Sequence, residues 1–218
     1  MTRALYSLML AACLALGVTQ AHAQALAADI GPARFFSRAE MLDESTLATT
    51  VRSDQLRASS VRAGRQVRVI ELEFTSQHWH GLTWKHPARV YVPESHAGGG
   101  NAGIIGTERS FFDNPRSPRR RIPGTALDTE AEYAEATAID LNMPIMIFAN
   151  PAEDYWGLNE SDQAGHAMKQ MLQTGDLTWN GYHPIAMAYL RAITLLHSLP
   201  GVGSERAVLM GCSKRGQA

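Results

Sequence analysis

Cysteine is scarce in this sequence. There are two, Cys13 and Cys212, in 218 residues. If an export signal is cleaved near Ala23, Cys212 stands alone. No internal disulfide is then available, and stability must come from packing. Charge of one sign is missing as well. Lys and Arg number 20 against 21 Asp and Glu, a formal net charge of −1. No basic or acidic excess points to nucleic acid or anionic lipid as a partner. There is no GxGxxG and no Walker loop, so neither nucleotide-binding fingerprint is present. No internal repeat is evident, which sets aside solenoid architectures. What is there is a 45% hydrophobic chain, long enough for one domain with its own core.

Residues 1–23 read as a secretory signal. Arg3 supplies the positive start, Leu5 to Val18 the apolar stretch, and Ala21-His22-Ala23 a small-x-small cleavage site. The stretch is short for a membrane span. Leu10-Ala11-Ala12-Cys13 resembles a lipoprotein box, but the apolar core continues through Leu14, Ala15 and Leu16. The expected mature protein is exported, periplasmic or secreted, with no stable membrane span.

Residues 24–60 form a weakly patterned N-terminal segment, with a candidate helix from Ser37 to Arg52. From 61 onward the pattern is that of one α/β domain. Gln66–Phe74 and Pro87–Pro93 read as half-buried strands, paired as an antiparallel meander. The apolar phase slips between Val69 and Ile70, which predicts a bulge there. His96 to Asn101 is a glycine loop, and Ala102–Gly106 a short buried strand. The Arg119-Arg120-Arg121 triplet reads as a solvated loop. A helix is predicted from about Asp128 to Leu141, capped by Asp128 or Thr125 and closed by Asn142 and Pro144. Ile145 to Ala149 is continuously apolar, as in a parallel strand covered on both faces. Helices follow over about 161–174 and 184–199. Arg206 to Met210 then reads as a buried strand.

That strand runs into Gly211-Cys212-Ser213-Lys214-Arg215-Gly216. A strand that ends at a glycine-flanked serine is the pattern of a nucleophile elbow. Gly211 lies two before Ser213. Arg215 holds the usual second glycine position, and Gly216 comes one later. G-x-S also occurs in ordinary strand-to-helix turns and phosphate-gripping loops. Antiparallel strands, then parallel β-α-β units, then this turn give an α/β-hydrolase-like order.

Three stretches carry a family resemblance. Phe74-Thr75-Ser76-Gln77-His78-Trp79-His80-Gly81-Leu82-Thr83-Trp84-Lys85-His86, Thr174-Gly175-Asp176-Leu177-Thr178-Trp179 and Gly211 to Gly216 resemble, in order, motifs of the PhoPQ-activated pathogenicity-related family. The turn also resembles the G-C-S-R-N-G of glucuronoyl esterases. The resemblance implies an α/β-hydrolase fold and an exported protein. It implies Ser213 as nucleophile and Lys214 as oxyanion partner, acting on a small-molecule or carbohydrate ester without cofactor or metal. Members of the family associated with virulence or growth control imply the alternative, a secreted non-catalytic binding or signalling protein on this scaffold.

A serine nucleophile needs a base, normally a histidine oriented by a carboxylate. In this fold both follow the serine in the chain. Five residues follow Ser213, and none is Asp, Glu or His. The expectation is an N-terminal fragment, truncated after the elbow and inactive by itself; a degenerate product is the other reading. The oxyanion hole should use the Lys214 backbone N–H and one from Gly106 or Thr107. Lys214 and Arg215 could serve an anionic group or pair with a nearby carboxylate. His78 and His80 would share a strand face, where they pack and hydrogen-bond or, as a weaker reading, bind a metal. His166, His183 and His197 take ordinary roles. Cys212 is expected to pack behind the turn. Tyr155 and Trp156 line a pocket or cap a loop.

Overall fold

The computed structural model describes residues 35–108, 127, 129–150, 155–158 and 160–218. Arg38–Ala218 form one compact unit. The expected signal segment, the Arg119–Arg121 triplet and the candidate caps Thr125 and Asp128 lie outside the described residues.

The strands are β1 (Thr50–Ala58), β2 (Gln66–Trp79), β3 (Leu82–Pro93), β4 (Asn101–Thr107), β5 (Ile145–Ala149) and β6 (Arg206–Gly211). They form one six-stranded sheet in the order β1-β2-β3-β5-β4-β6. The helices are α1 (Arg38–Leu42), α2 (Glu130–Leu141), α3 (Glu160–Thr174), α4 (Tyr182–Ser198) and α5 (Lys214–Gln217). The first two strand pairs and β3–β5 are antiparallel; β4 is parallel to both β5 and β6. The chain therefore skips a place to lay down β4, returns to fill the gap with β5, then adds β6 on the far side of β4. This is the mixed, doubly covered sheet of an α/β-hydrolase-like fold. A reversal of strand order around β4 opens a crevice at the carboxyl ends of the parallel strands.

The two faces of the sheet explain the phase of β2. Val67 and Val69 pack with Tyr91, Ile105, Ile147 and the α2 residues Ala134, Ala138 and Ile139. Ile70, Leu72 and Phe74 pack on the other face with Met146, Phe148 and the α4 residues Ala188, Ala192 and Leu195. Alternation runs through Val69 and Ile70 without a break, so the predicted bulge there is not found. Apolar residues occupy both parities because both faces are covered. The register shifts lie elsewhere, at Val51/Ser53 of β1 against β2 and at Thr75/Gln77 of β2 against β3.

The predicted helix over 37–52 is also corrected. Only Arg38–Leu42 is α-helical, a 3-10 turn covers Glu44–Leu47, and Thr50–Ala58 is strand. The sheet thus starts at Thr50, not after residue 60. As an edge strand β1 is mostly exposed, so it carries no alternating apolar signature. Its hold comes from ion pairs: Arg57 reaches Glu135 at 2.6 Å and Asp54 reaches Arg68 at 2.7 Å.

The later elements follow their sequence signals closely. Thr129 caps α2 by accepting the Glu132 N–H, and Asn142 closes it in the left-handed conformation. Every β5 residue is buried. Helix α4 buries Ile185, Met187, Tyr189, Leu195 and Leu196 among others, each contributing roughly 1.5–3 kcal/mol on transfer from water. Strand β6 differs from its expectation. It pairs with β4 along one edge, and Val208, Leu209 and Met210 are 44–64% exposed although their run is apolar.

Candidate active site

The site begins with a backbone constraint. Ser213 has φ 55° and ψ −127°, a region an L-residue enters only under strain of about 1–3 kcal/mol. The strand β6 stops one residue after Met210, and α5 starts one residue after Ser213. A bend that tight brings strand and helix backbones together. A β-carbon at Gly211 would lie 2.5 Å from the Arg215 carbonyl carbon, and one at Gly216 would lie 2.5 Å from the Gly211 carbonyl oxygen. The two glycines therefore face each other across the turn. The second glycine is required at position 216, and Arg215 is tolerated at the position before it. Ser213 itself is exposed at the crest.

Tyr189 braces the turn from below. Its hydroxyl donates to the Met210 carbonyl at 2.9 Å and accepts the Gly106 N–H at 3.1 Å. One side chain from α4 thus ties the ends of β4 and β6. Burial pushes the tyrosine up to about 12, so it stays protonated and able to donate. The Gly106 N–H is committed to this bond, which removes it from the oxyanion hole expected at Gly106 or Thr107. Thr107 is buried, and its hydroxyl donates to the Glu130 carboxylate.

The two basic residues after the serine separate. The Arg215 side chain turns inward and pairs with Glu108 at 3.7 Å, while Lys214 lines a cleft beside Ser213. The cleft is partly open to solvent, and its cavity volume is about 40 Å³. Trp79, Trp84, Ile185 and Ala167 line it, and the Asn150 and Gln163 amides add polarity. Gln163 donates to the Leu158 carbonyl at 2.8 Å. Asn150 is 4% exposed.

All four tryptophans of the chain meet here. Trp79 lies 5.7 Å from Trp84, 5.9 Å from Trp156 and 5.7 Å from Trp179, each edge-on. The Trp79 indole N–H donates to the Thr178 carbonyl at 2.9 Å. Stretches about a hundred residues apart in sequence therefore share one cluster. Tyr155 donates to the Thr83 carbonyl at 2.7 Å, and Trp156 packs on His166 at 4.7 Å. Both cap the cluster and neither lines the cleft.

The histidines are placed otherwise than a shared strand face requires. His80 (φ 44°) and Gly81 (φ 80°) form the two-residue turn between β2 and β3, as the twist of a tight hairpin demands. His80 therefore leaves the strand that holds His78. It stacks on Trp179 at 3.6 Å and donates to the Thr178 hydroxyl, whose own proton goes to Asp176. His78 bonds Thr83 at 2.9 Å. Among the described residues no three His, Cys, Asp or Glu side chains gather to hold a metal. His197 bonds the Ser204 carbonyl, and burial lowers His183. Cys212 is a further correction: it is exposed and free, because β6 leaves that side uncovered. No histidine bonds Ser213 among the described residues.

Sequence reasoning missed Tyr189 and Asn150. In the sequence Tyr189 stands among the apolar residues of a helix face, and Asn150 directly follows the apolar run Ile145 to Ala149. Only the first had a signal of its kind, a tyrosine at a position that buries its hydroxyl and so needs a partner.

Among solved structures, a Bacteroides fragilis protein assigned as an acetyl xylan esterase is 13% identical, with a TM-score of 0.49 over 81% of this chain and 45% of that one. Acetyl xylan esterase 1 from a Thermoanaerobacterium is 14% identical, with a TM-score of 0.42 over 84% and 50%. The chain spans about half the length of these structures. No helix among the described residues is long and apolar enough to cross a membrane. A comparison with curated proteins gives no match. The family model for PhoPQ-activated pathogenicity-related protein matches residues 49–218, which takes in every strand of the sheet and the elbow, and the chain belongs to that family.

Proposed function

We propose that this chain carries the nucleophile of an exported serine hydrolase acting on carboxylic esters. The observation behind this reading is the strained, exposed Ser213, held between two glycines whose β-carbons the turn excludes. Strain of this kind is kept where it positions a reacting group. In the reaction the Ser213 Oγ attacks the acyl carbon while its proton passes to a histidine base. The carbonyl oxygen becomes an oxyanion, stabilised by the Lys214 backbone N–H and the nearby ammonium. The intermediate collapses, the alcohol leaves with the proton, and water then releases the acid from the serine. Among the described residues no histidine bonds Ser213, so the base and its orienting carboxylate are not assigned to residues here. Export rests on the pattern of residues 1–23.

A fluorophosphonate probe tests the reading on the whole protein. Covalent labelling should fall on Ser213 and vanish in Ser213→Ala. A folded protein that is not labelled would leave the non-catalytic binding reading in its place.

A further inference from the structure

Among the described residues two arginines are buried, Arg191 and Arg215. Arg191 donates to carbonyls of the N-terminal turns. Arg215 has a different setting, two residues after the candidate nucleophile. Taking a guanidinium out of water is costly unless the site holds it. Arg215 pairs with Glu108 at 3.7 Å, and their side chains are 4% and 43% exposed. A pair open to solvent at one end adds little stability. What it can supply is one fixed arrangement of the two segments that carry it.

Those segments flank Ser213. The ladder between β4 and β6 ends at the Gly106–Gly211 pair, where Tyr189 bridges the Gly106 amide and the Met210 carbonyl. Beyond it the two chains part. One runs on to Thr107 and Glu108, and the other turns through Cys212 and Ser213 into α5. The Arg215–Glu108 pair ties them again across that opening. The arginine backbone is itself locked to the elbow. Its N–H donates to the Cys212 carbonyl at 3.2 Å, and its carbonyl oxygen lies 2.5 Å from where a β-carbon on Gly211 would stand.

In an ester hydrolase of this fold one oxyanion donor follows the serine and the other comes from the loop after a neighbouring strand. Gly106 gives its N–H to Tyr189. The second donor then falls to the segment that starts at Thr107, the segment that Arg215 holds. We propose that Arg215 is a positioning residue: its buried guanidinium, anchored on Glu108, fixes the segment after β4 against the elbow and so sets the oxyanion site opposite Ser213. The inference rests on the ester-hydrolase reading and adds to it a residue that touches no substrate.

The test is the kinetics of fluorophosphonate labelling at Ser213 in the whole protein, with urea midpoints measured in parallel. Arg215→Gln and Glu108→Gln should each slow the maximal labelling rate about tenfold. The probe concentration at half-maximal rate should stay unchanged, because the oxyanion contact forms only in the transition state. The double variant should be no slower than either single one, as expected of two residues acting as one unit. Arg215→Lys keeps the charge at a single-contact pair and should recover about threefold. Glu108→Gln lies at the exposed end of the pair and keeps the test informative if Arg215→Gln does not fold. A folded Glu108→Gln protein labelled at the wild-type rate would overturn the inference, as would losses that multiply in the double variant. Either result leaves the hydrolase reading standing. A wild-type protein that is not labelled sinks that reading, and this inference with it.

Discussion

The Tyr189 hydroxyl and the Gly106 amide are 3.1 Å apart, and neither position tolerates the other's neighbourly substitution. A β-carbon at Gly106 would overlap the Tyr189 hydroxyl, and one at Gly211 would lie 2.6 Å from it. Tyr189→Phe keeps the ring but strands the Gly106 N–H and removes the donor to the Met210 carbonyl. A loss of about 2 kcal/mol is expected in urea unfolding. Because the bond reaches the residue before Gly211, the labelling rate at Ser213 should also fall, by about tenfold. A protein that loses stability but labels at full rate would reduce Tyr189 to a packing role.

Gly216 should be less replaceable than its place outside the usual pattern implies. Gly216→Ala pushes a methyl group into the Gly211 carbonyl, at 2.5 Å. Backbone cannot move aside as a side chain can. The expected cost is about 3 kcal/mol, with loss of labelling at Ser213. Arg215→Gly, which restores the usual spacing, should not rescue it.

His86 makes stability depend on pH. It is fully buried, donates from Nδ1 to the Ala149 carbonyl at 2.9 Å and accepts the Ser76 hydroxyl at 2.8 Å. Burial lowers it from 6.5 to about 4. The unfolded chain therefore binds a proton between those values that the folded chain does not. Stability should fall as pH drops through that window, by on the order of 3 kcal/mol. His86→Leu should be less stable at neutral pH but flat across the same window, as read by urea midpoints at several pH values.

Arg191 holds the N-terminal turns to α4. Its guanidinium donates to the carbonyls of Glu40, Met41 and Asp43 and to the Thr46 hydroxyl at 2.6–2.9 Å, and it is fully buried. Arg191→Met keeps the length and removes the donors. The expected loss is about 3 kcal/mol, with faster proteolytic cutting between Arg38 and Leu47. Equal proteolysis in both proteins would show that this segment is held by other contacts.

Much of the fold was legible because its signals are local. Burial of β5 on both faces shows as five apolar residues in a row. The left-handed ends at Asn142 and Gly175 show as the residue types that accept that conformation. Strand β1 left no such trace, since an edge strand held by Arg57–Glu135 and Asp54–Arg68 needs no apolar alternation. The supposed bulge at Val69 was a sheet covered twice, and coverage is a property of what packs above and below. His78 and His80 look like a pair in sequence, but a two-residue turn falls between their settings and sends them to different partners.

By itself the sequence determined where the chain must bend at Ser213, because a residue without a β-carbon is a steric fact written into one position. It also determined which runs are strand and helix wherever the apolar period was strong. Only the tertiary structure decided that Gly216 answers Gly211, that Tyr189 lies between β4 and β6, and that four tryptophans from distant stretches share one cluster. Those are contacts between groups far apart along the chain. Their energies depend on distance in space, which no local pattern of residues records.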